Sequence, residues 1–263
     1  MLYCSEITVD GFSLINNKYK FFINNLFDID NDVVGTDLRD SGQSYDHTHM
    51  KPKTPLLMGS VTSESITDFL TLRSVLLRQG LKKFVVNLAG IGEVYFMAEI
   101  VNWSHDDLDS YVSCQLSMPD PHLYMLSPSS VQLGSISGNS LTFPFVFPIV
   151  FGAINGGQGI VTNVGNCTSF PLITITGTCS SLTITNTTTN ESIYIDVELL
   201  EDDVLVIDNR PTSRGVFLNG VPHMELKTGL WISCAVGDNN FTFQRSSVQD
   251  KRHCTVELQS SFI

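Results

Sequence analysis

Charge is scarce in this sequence. Asp, Glu, Lys and Arg supply 16% of its 263 residues, against 42% hydrophobic. So apolar a chain folds around a core, and so little charge leaves surface suited to cover within an assembly. Cations are scarcer still: 15 Lys and Arg face 27 Asp and Glu, for a net charge of −12. Clustered cations for backbone phosphates are missing, which excludes specific nucleic-acid binding. The acidity suits solubility and, in a conduit, walls to which passing DNA does not stick. No apolar run is long enough to span a bilayer. The most apolar stretch, Leu141 to Ile154, is broken by Pro144 and Pro148, so no membrane insertion is expected. Met1 to Cys4 has neither the basic start nor the apolar core of a secretion signal, and synthesis in a cytoplasm is expected. Cys4, Cys114, Cys167, Cys179, Cys234 and Cys254 form no C-x-x-C pair, and free, mostly buried thiols fit that compartment.

Chemical motifs are equally sparse. There is no Gly-x-Ser-x-Gly elbow. His47-x-His49 and His253-Cys254 lack the third and fourth ligands that a metal site needs. The acidic groups Asp106-Asp107 and Glu201-Asp202-Asp203 fall between strand-like runs, where solvated turn acids belong. The expectation is a protein that is not an enzyme and carries no cofactor or metal.

Strand patterns are abundant. Ile7 to Val9 leads to the hairpin dipeptide Asp10-Gly11, then Phe12 to Ile15, a second turn at Asn16-Asn17, and Tyr19 to Ile23. Residues 36–58 open as a polar stretch and read as an extended arm, which gains order by lying on a neighbour. One helix is predicted at about 64–80. Ser63 or Ser65 caps it, Asp68 completes a capping box with Ser65, and Gly80 stops it. Its core-facing stripe is read as Ile66, Phe69, Leu70, Leu76 and Leu77, interrupted by Arg73. Strands resume at Phe84, Tyr95 and Tyr111 and stop at Met118-Pro119-Asp120-Pro121. A connector at about 141–160, with Phe143, Phe145, Phe147 and Phe151, separates a first domain (1–140) from a second (161–263). The second domain reads as a β-sandwich of short strands about ten residues apart, with the hairpin dipeptide Asn219-Gly220.

Several of these strings resemble the distal tail protein family of siphophages. They are Pro119-Asp120-Pro121-His122-Leu123-Tyr124, Phe143 to Pro148, Gly159 to Asn166, Pro171 to Gly177, Leu205 to Asp208, Val216 to Gly220, and Gly237 to Phe243. His122 stands where the family has an aromatic. The resemblance implies a mainly-β chain with an N-terminal ring domain holding one α-helix and a C-terminal galectin-like β-sandwich. It further implies a structural virion protein, a tail hub that closes a homohexameric ring at the tail tip or baseplate. Its partners would be itself, the tail tube protein, the tail-associated tip protein, and receptor-binding or baseplate proteins. The arm would grip the next subunit, with Leu38, Tyr45 and Met50 as inter-subunit contacts. The alternative is a carbohydrate-binding adhesion module of a phage tail, for which Asn209, Arg210 and Trp231 form the candidate sugar set, although Trp231 also reads as core.

Overall fold

The computed structural model describes residues 4–34, 47–63, 65–106, 110–133, 156–245 and 252–263. The chain divides into two compact units, Met1–Leu126 with Phe262–Ile263, and Ser127–Ser261.

The first unit contains β1 (Cys4–Val9), β2 (Phe12–Ser13), β3 (Tyr19–Asn24), β4 (Asn31–Val34), β5 (His47–Met50), β6 (Leu56–Val61), α1 (Ile66–Leu76), β7 (Lys82–Leu88), β8 (Gly92–Asp106), β9 (Tyr111–Ser117) and β10 (Leu123–Met125). The main sheet runs β2-β1-β7-β8-β9-β6-β3, with β10 added on β8. Asp10 and Gly11 both have positive φ, 48° and 85°, and join Val9 to Phe12 in the tight turn that their types favour. β8 serves two sets of partners. Its first half pairs with β7 and β10 and its second half with β9, and the register shifts between Ile100 and Asn102. Such a bulge bends a strand and lets one long segment turn a corner.

Alternate residues of these strands point into one core, including Ile7, Val9, Phe21, Leu57, Phe84, Phe96, Val112 and Leu116. The Phe84 and Phe96 rings stack with centroids 5.1 Å apart. Each buried side chain of this kind stabilises by roughly 1.5–3 kcal/mol. Phe262 belongs to this core as well.

The helix is shorter than the sequence pattern predicts and turned differently. Leu72 and Leu76 are its fully buried residues, with Phe69 and Val75 half-buried beside them, whereas Ile66, Leu70 and Leu77 are 68%, 52% and 38% exposed. The expected stripe is therefore corrected. Apolar residues occur on more than one face of α1, and contact with β8 selects among them: Phe69 packs on Trp103 and His105. The expected capping box does not form either. Ser65 is the N-cap but its hydroxyl makes no cap bond. The Asp68 carboxylate instead accepts from the Ser63 hydroxyl (2.6 Å) and Lys18 Nζ (2.9 Å). At the other end the chain leaves the helix at Leu77, before Gly80. The Lys82 ammonium, almost fully buried, donates to the carbonyls of Arg78 and Gly80 in the turn that follows the helix.

The expected arm also needs correcting at its C-terminal end. Leu56, Leu57 and Met58 lie in β6, between β3 and β9, and Leu57 is fully buried. Among the described residues, β4 and β5 stand apart from the main sheet as a two-stranded pair. Leu56 to Met58 follow directly on the proline-containing polar stretch that ends at Pro55, and so were read with the arm.

The second unit holds β11 (Ser129–Leu133), β12 (Gly156–Asn163), β13 (Leu172–Gly177), β14 (Cys179–Asn186), β15 (Glu191–Leu199), β16 (Val204–Asp208), β17 (Gly215–Leu218), β18 (Val221–Pro222), β19 (Lys227–Gly229), β20 (Gly237–Arg245) and β21 (Arg252–Leu258), before the last strand, β22 (Ser261–Phe262). One sheet runs β11-β21-β13-β16-β17-β18 and the other β12-β20-β14-β15-β19. Both contribute to a single core: Ile173, Ile175, Leu205, Ile207 and Val256 from the first, Ile184, Ile193, Ile195, Phe241 and Phe243 from the second. Two antiparallel sheets sharing one core make a β-sandwich. Ser129–Leu133, placed before the connector in the sequence reading, pairs along β21 and lies in this unit. The connector phenylalanines, Phe143 to Phe151, lie outside the described residues.

Candidate functional site

The sequence points to two places, the hairpin of unit one and the Asn209–Trp231 neighbourhood of unit two.

In the hairpin, β4 and β5 pair from Asn31↔Met50 to Val34↔His47. Leu38 and Tyr45 lie outside the described residues, while Met50 sits half-buried at the hairpin base. That base is tied down. Lys51 N–H donates to Asp30 O (2.8 Å), and its ammonium lies 3.7 Å and 3.8 Å from the carboxylates of Asp30 and Asp32. Lys53 is buried, donates from Nζ to Leu26 O (3.3 Å), and exchanges backbone hydrogen bonds with Met118. The hairpin therefore leaves the main sheet from a fixed root.

Behind it, Pro119-Asp120-Pro121 closes a small polar knot. Asp120 accepts from the Tyr124 hydroxyl (2.7 Å) and lies 2.7 Å from His122 Nδ1. Burial alone would raise the Asp120 carboxyl, but the bonds from His122 and Tyr124 outweigh it and hold the group below the usual carboxylate range. The His122 ring and backbone N–H both bind the turn through Asp120.

In unit two the structure brings Asn209, Arg210 and Trp231 into one neighbourhood but gives them separate tasks. Asn209 is completely buried. Its amide donates to Pro171 O (2.9 Å) and its carbonyl accepts Ile232 N–H (2.9 Å), so it staples two chain segments together. Arg210 makes a two-pronged pair with Asp208, Nε to Oδ1 at 2.9 Å and Nη2 to Oδ2 at 2.6 Å. The Ser213 hydroxyl adds a bond to the same carboxylate (2.7 Å). Burial would raise the Asp208 carboxyl, but these donors lower it overall. Trp231 is half-buried against the sandwich core. Lys227 Nζ stands 4.4 Å from its ring centroid and the Arg214 guanidinium carbon 6.0 Å. Arg214 also lies 5.6 Å from the Phe170 ring. Sequence reasoning missed Arg214, Lys227 and Phe170. Nothing in their spacing announces that Arg214 and Lys227, from separate segments, meet at one indole and that Arg214 also covers Phe170.

The cysteines present no reactive centre. Burial pushes the thiols of Cys114 and Cys234 up to about 12, with Glu191 adding to the effect at Cys234, so both stay protonated near neutral pH. Among the described residues no group of three or more His, Cys, Asp or Glu is placed to hold a metal, and no helix is long and apolar enough to cross a membrane.

The chain is thus a mainly-β, two-unit protein whose polar residues tie strands and turns together. Residues 164–262 match the family model of the siphovirus-type tail component, C-terminal domain. Among solved structures the chain is similar to the Dit protein (gp 19.1) of SPP1, described as a paradigm of the hub adsorption apparatus in Gram-positive-infecting phages. The TM-score is 0.68 at 11% identity, over 98% of this chain and 99% of that one. It is also similar to chains of the phage P2 baseplate in its activated conformation, with Ca (TM-score 0.51, 10% identity) and with Sr (0.52, 11%), each over 96% of this chain and 97% of that one. At these identities the likeness is one of fold, and it spans nearly the whole length. A comparison with curated protein sequences finds no match.

Proposed function

We propose that this chain is a structural protein of the siphophage virion, a distal tail hub whose first unit closes a homohexameric ring and whose galectin-like second unit projects as a platform. The observation that carries the reading is the conjunction of the family match over residues 164–262 with a fold shared end to end with a phage hub protein. The mechanism is geometric. A ring closes when one surface of a subunit meets a different surface of the next and the rotation returns to its start. Two features of the first unit suit such contacts. One is the rooted hairpin, free to lay backbone along a neighbouring sheet edge. The other is the exposed apolar stripe Ile66, Leu70 and Leu77, on one side of α1. The ring would continue the tail tube's channel, hold the tip protein on its other face, and offer the second units to receptor-binding or baseplate proteins. Its work is positional, with no catalytic step and no cofactor, and its place is the tail tip after synthesis in the host cytoplasm.

The local bonding of the candidate sugar set favours the hub over the adhesion alternative. Asn209 faces the interior, Arg210 is held by Asp208, and the Trp231 ring already carries two of the protein's own cations. The location is tested by gold-labelled antibody against this chain on intact virions. Label at the tail end supports the hub, and label confined to the head or absent from virions refutes it.

A further inference from the structure

Lys227, Trp231 and Arg214 form a cationic group on unit two. Among the described residues neither cation has a carboxylate partner. Lys227 Nζ donates to Gly229 O (2.5 Å) and Arg214 Nε to Asn209 O (3.2 Å); both stand over the indole, Arg214 also over the Phe170 ring. The acids nearest in sequence are engaged elsewhere: Asp208 by Arg210 and Ser213, and Glu225 by His223 at 2.7 Å. In a chain of net charge −12, two cations that share one indole make a local positive patch. Their crowding has a cost, since burial and then the Arg214 charge both lower the Lys227 ammonium below its ordinary value. An anion seated between them would relieve that cost.

We infer that the Arg214–Trp231–Lys227 group is a docking site for an acidic segment of a partner polypeptide. Charge complementarity selects the anion: carboxylates are repelled by the acidic surface elsewhere and attracted here, which gives specificity as well as steering. Apolar surface favours a polypeptide over a phosphate polymer. Leu230 and Met224, in the same segment, are 63% and 50% exposed and offer contact area that a bare phosphate chain has no use for. The segment is also open to approach, because β18 and β19 are the last strands of their respective sheets. A neutral sugar is disfavoured, since stacking on Trp231 would require it to displace cations already on the ring. The site lies within unit two and needs no ring, so its failure and that of the hub reading are separable.

The test uses the full chain carrying Trp103→Phe, which leaves Trp231 as the reporting indole. The probes are a hexaglutamate peptide, tripolyphosphate, a neutral hexasaccharide and hexaglycine, each titrated at low and high salt. Hexaglutamate alone should shift Trp231 emission, more weakly as salt rises. The pair Arg214→Gln with Lys227→Gln should weaken binding about tenfold or more, consistent with loss of two charge-assisted contacts. The charge-retaining pair Arg214→Lys with Lys227→Arg should keep it, which separates lost charge from lost fold. The proposal is overturned if hexaglutamate does not bind, if it binds equally well to the Gln pair, or if tripolyphosphate or the hexasaccharide binds more tightly. Self-association of the full chain that the Gln pair abolishes would also overturn it, by assigning the site to a second copy.

Discussion

Replacing Asn209 with Ala separates a structural staple from a ligand-facing amide. The side chain is fully buried and bridges Pro171 O and Ile232 N–H at 2.9 Å each. In the Ala variant Pro171 O keeps the backbone N–H of Asn209 at 3.2 Å, so it is only partly deprived. The N–H of Ile232, itself fully buried, loses its acceptor. An orphaned buried donor costs about 1–3 kcal/mol. The small void left by the amide adds roughly 1 kcal/mol, for a total of about 2–4 kcal/mol. At about 3–5 °C per kcal/mol for a unit of this size, the midpoint of thermal unfolding should fall by roughly 6–20 °C. Calorimetry of the full chain, with urea unfolding followed by circular dichroism, measures this. Asn209→Asp, which keeps an acceptor for Ile232 but presents a carboxylate to the Pro171 carbonyl, should also be destabilised. A variant as stable as the parent that had lost binding to a glycan would refute the reasoning and return Asn209 to the sugar set.

Other expectations follow from the same packing. Leu72→Ala in the buried face of α1 should cost about 2–5 kcal/mol by unfolding, whereas Leu70→Ala, on the exposed face, should leave monomer stability within about 0.5 kcal/mol and weaken assembly measured by sedimentation. Gly59→Ala should destabilise unit one by several kcal/mol or prevent folding, since an added Cβ would lie 2.3 Å from Lys20 O and 2.6 Å from the Phe21 ring; solubility on expression and the unfolding midpoint read this out. Asp208 has a lowered carboxyl in the folded state, so its contribution is present above the unfolded value near 4 and is lost as pH falls through the lower folded one. Urea midpoints of the parent should therefore drop in that acid window, and Asp208→Asn should flatten that part of the profile.

The strands were legible because their residues alternate. Ile173 and Ile175 point into the sandwich while Thr174 and Thr176, which alternate with them, do not. Turns carried by Asp10-Gly11 and Asn219-Gly220 were legible from residue type alone, since both dipeptides tolerate positive φ. The orientation of α1 was not, because its apolar residues occupy more than one face and only contact with Trp103 and His105 distinguishes them. The polar arm ended earlier than its composition suggests, because Leu56 to Met58 are claimed by two neighbouring strands distant in sequence. The Trp231 group was half visible. Trp231 and Asn209 stood out as residue types, but their partners arrive from separate segments, and no local pattern encodes such convergence.

The mass and shape of the purified full chain, by light scattering with negative-stain imaging, test the hub directly. Six copies of the 29.1 kDa chain in a ring with a central hole is the expected result. A particle of one chain at every concentration reached, still single when mixed with tail tube protein, would contradict it.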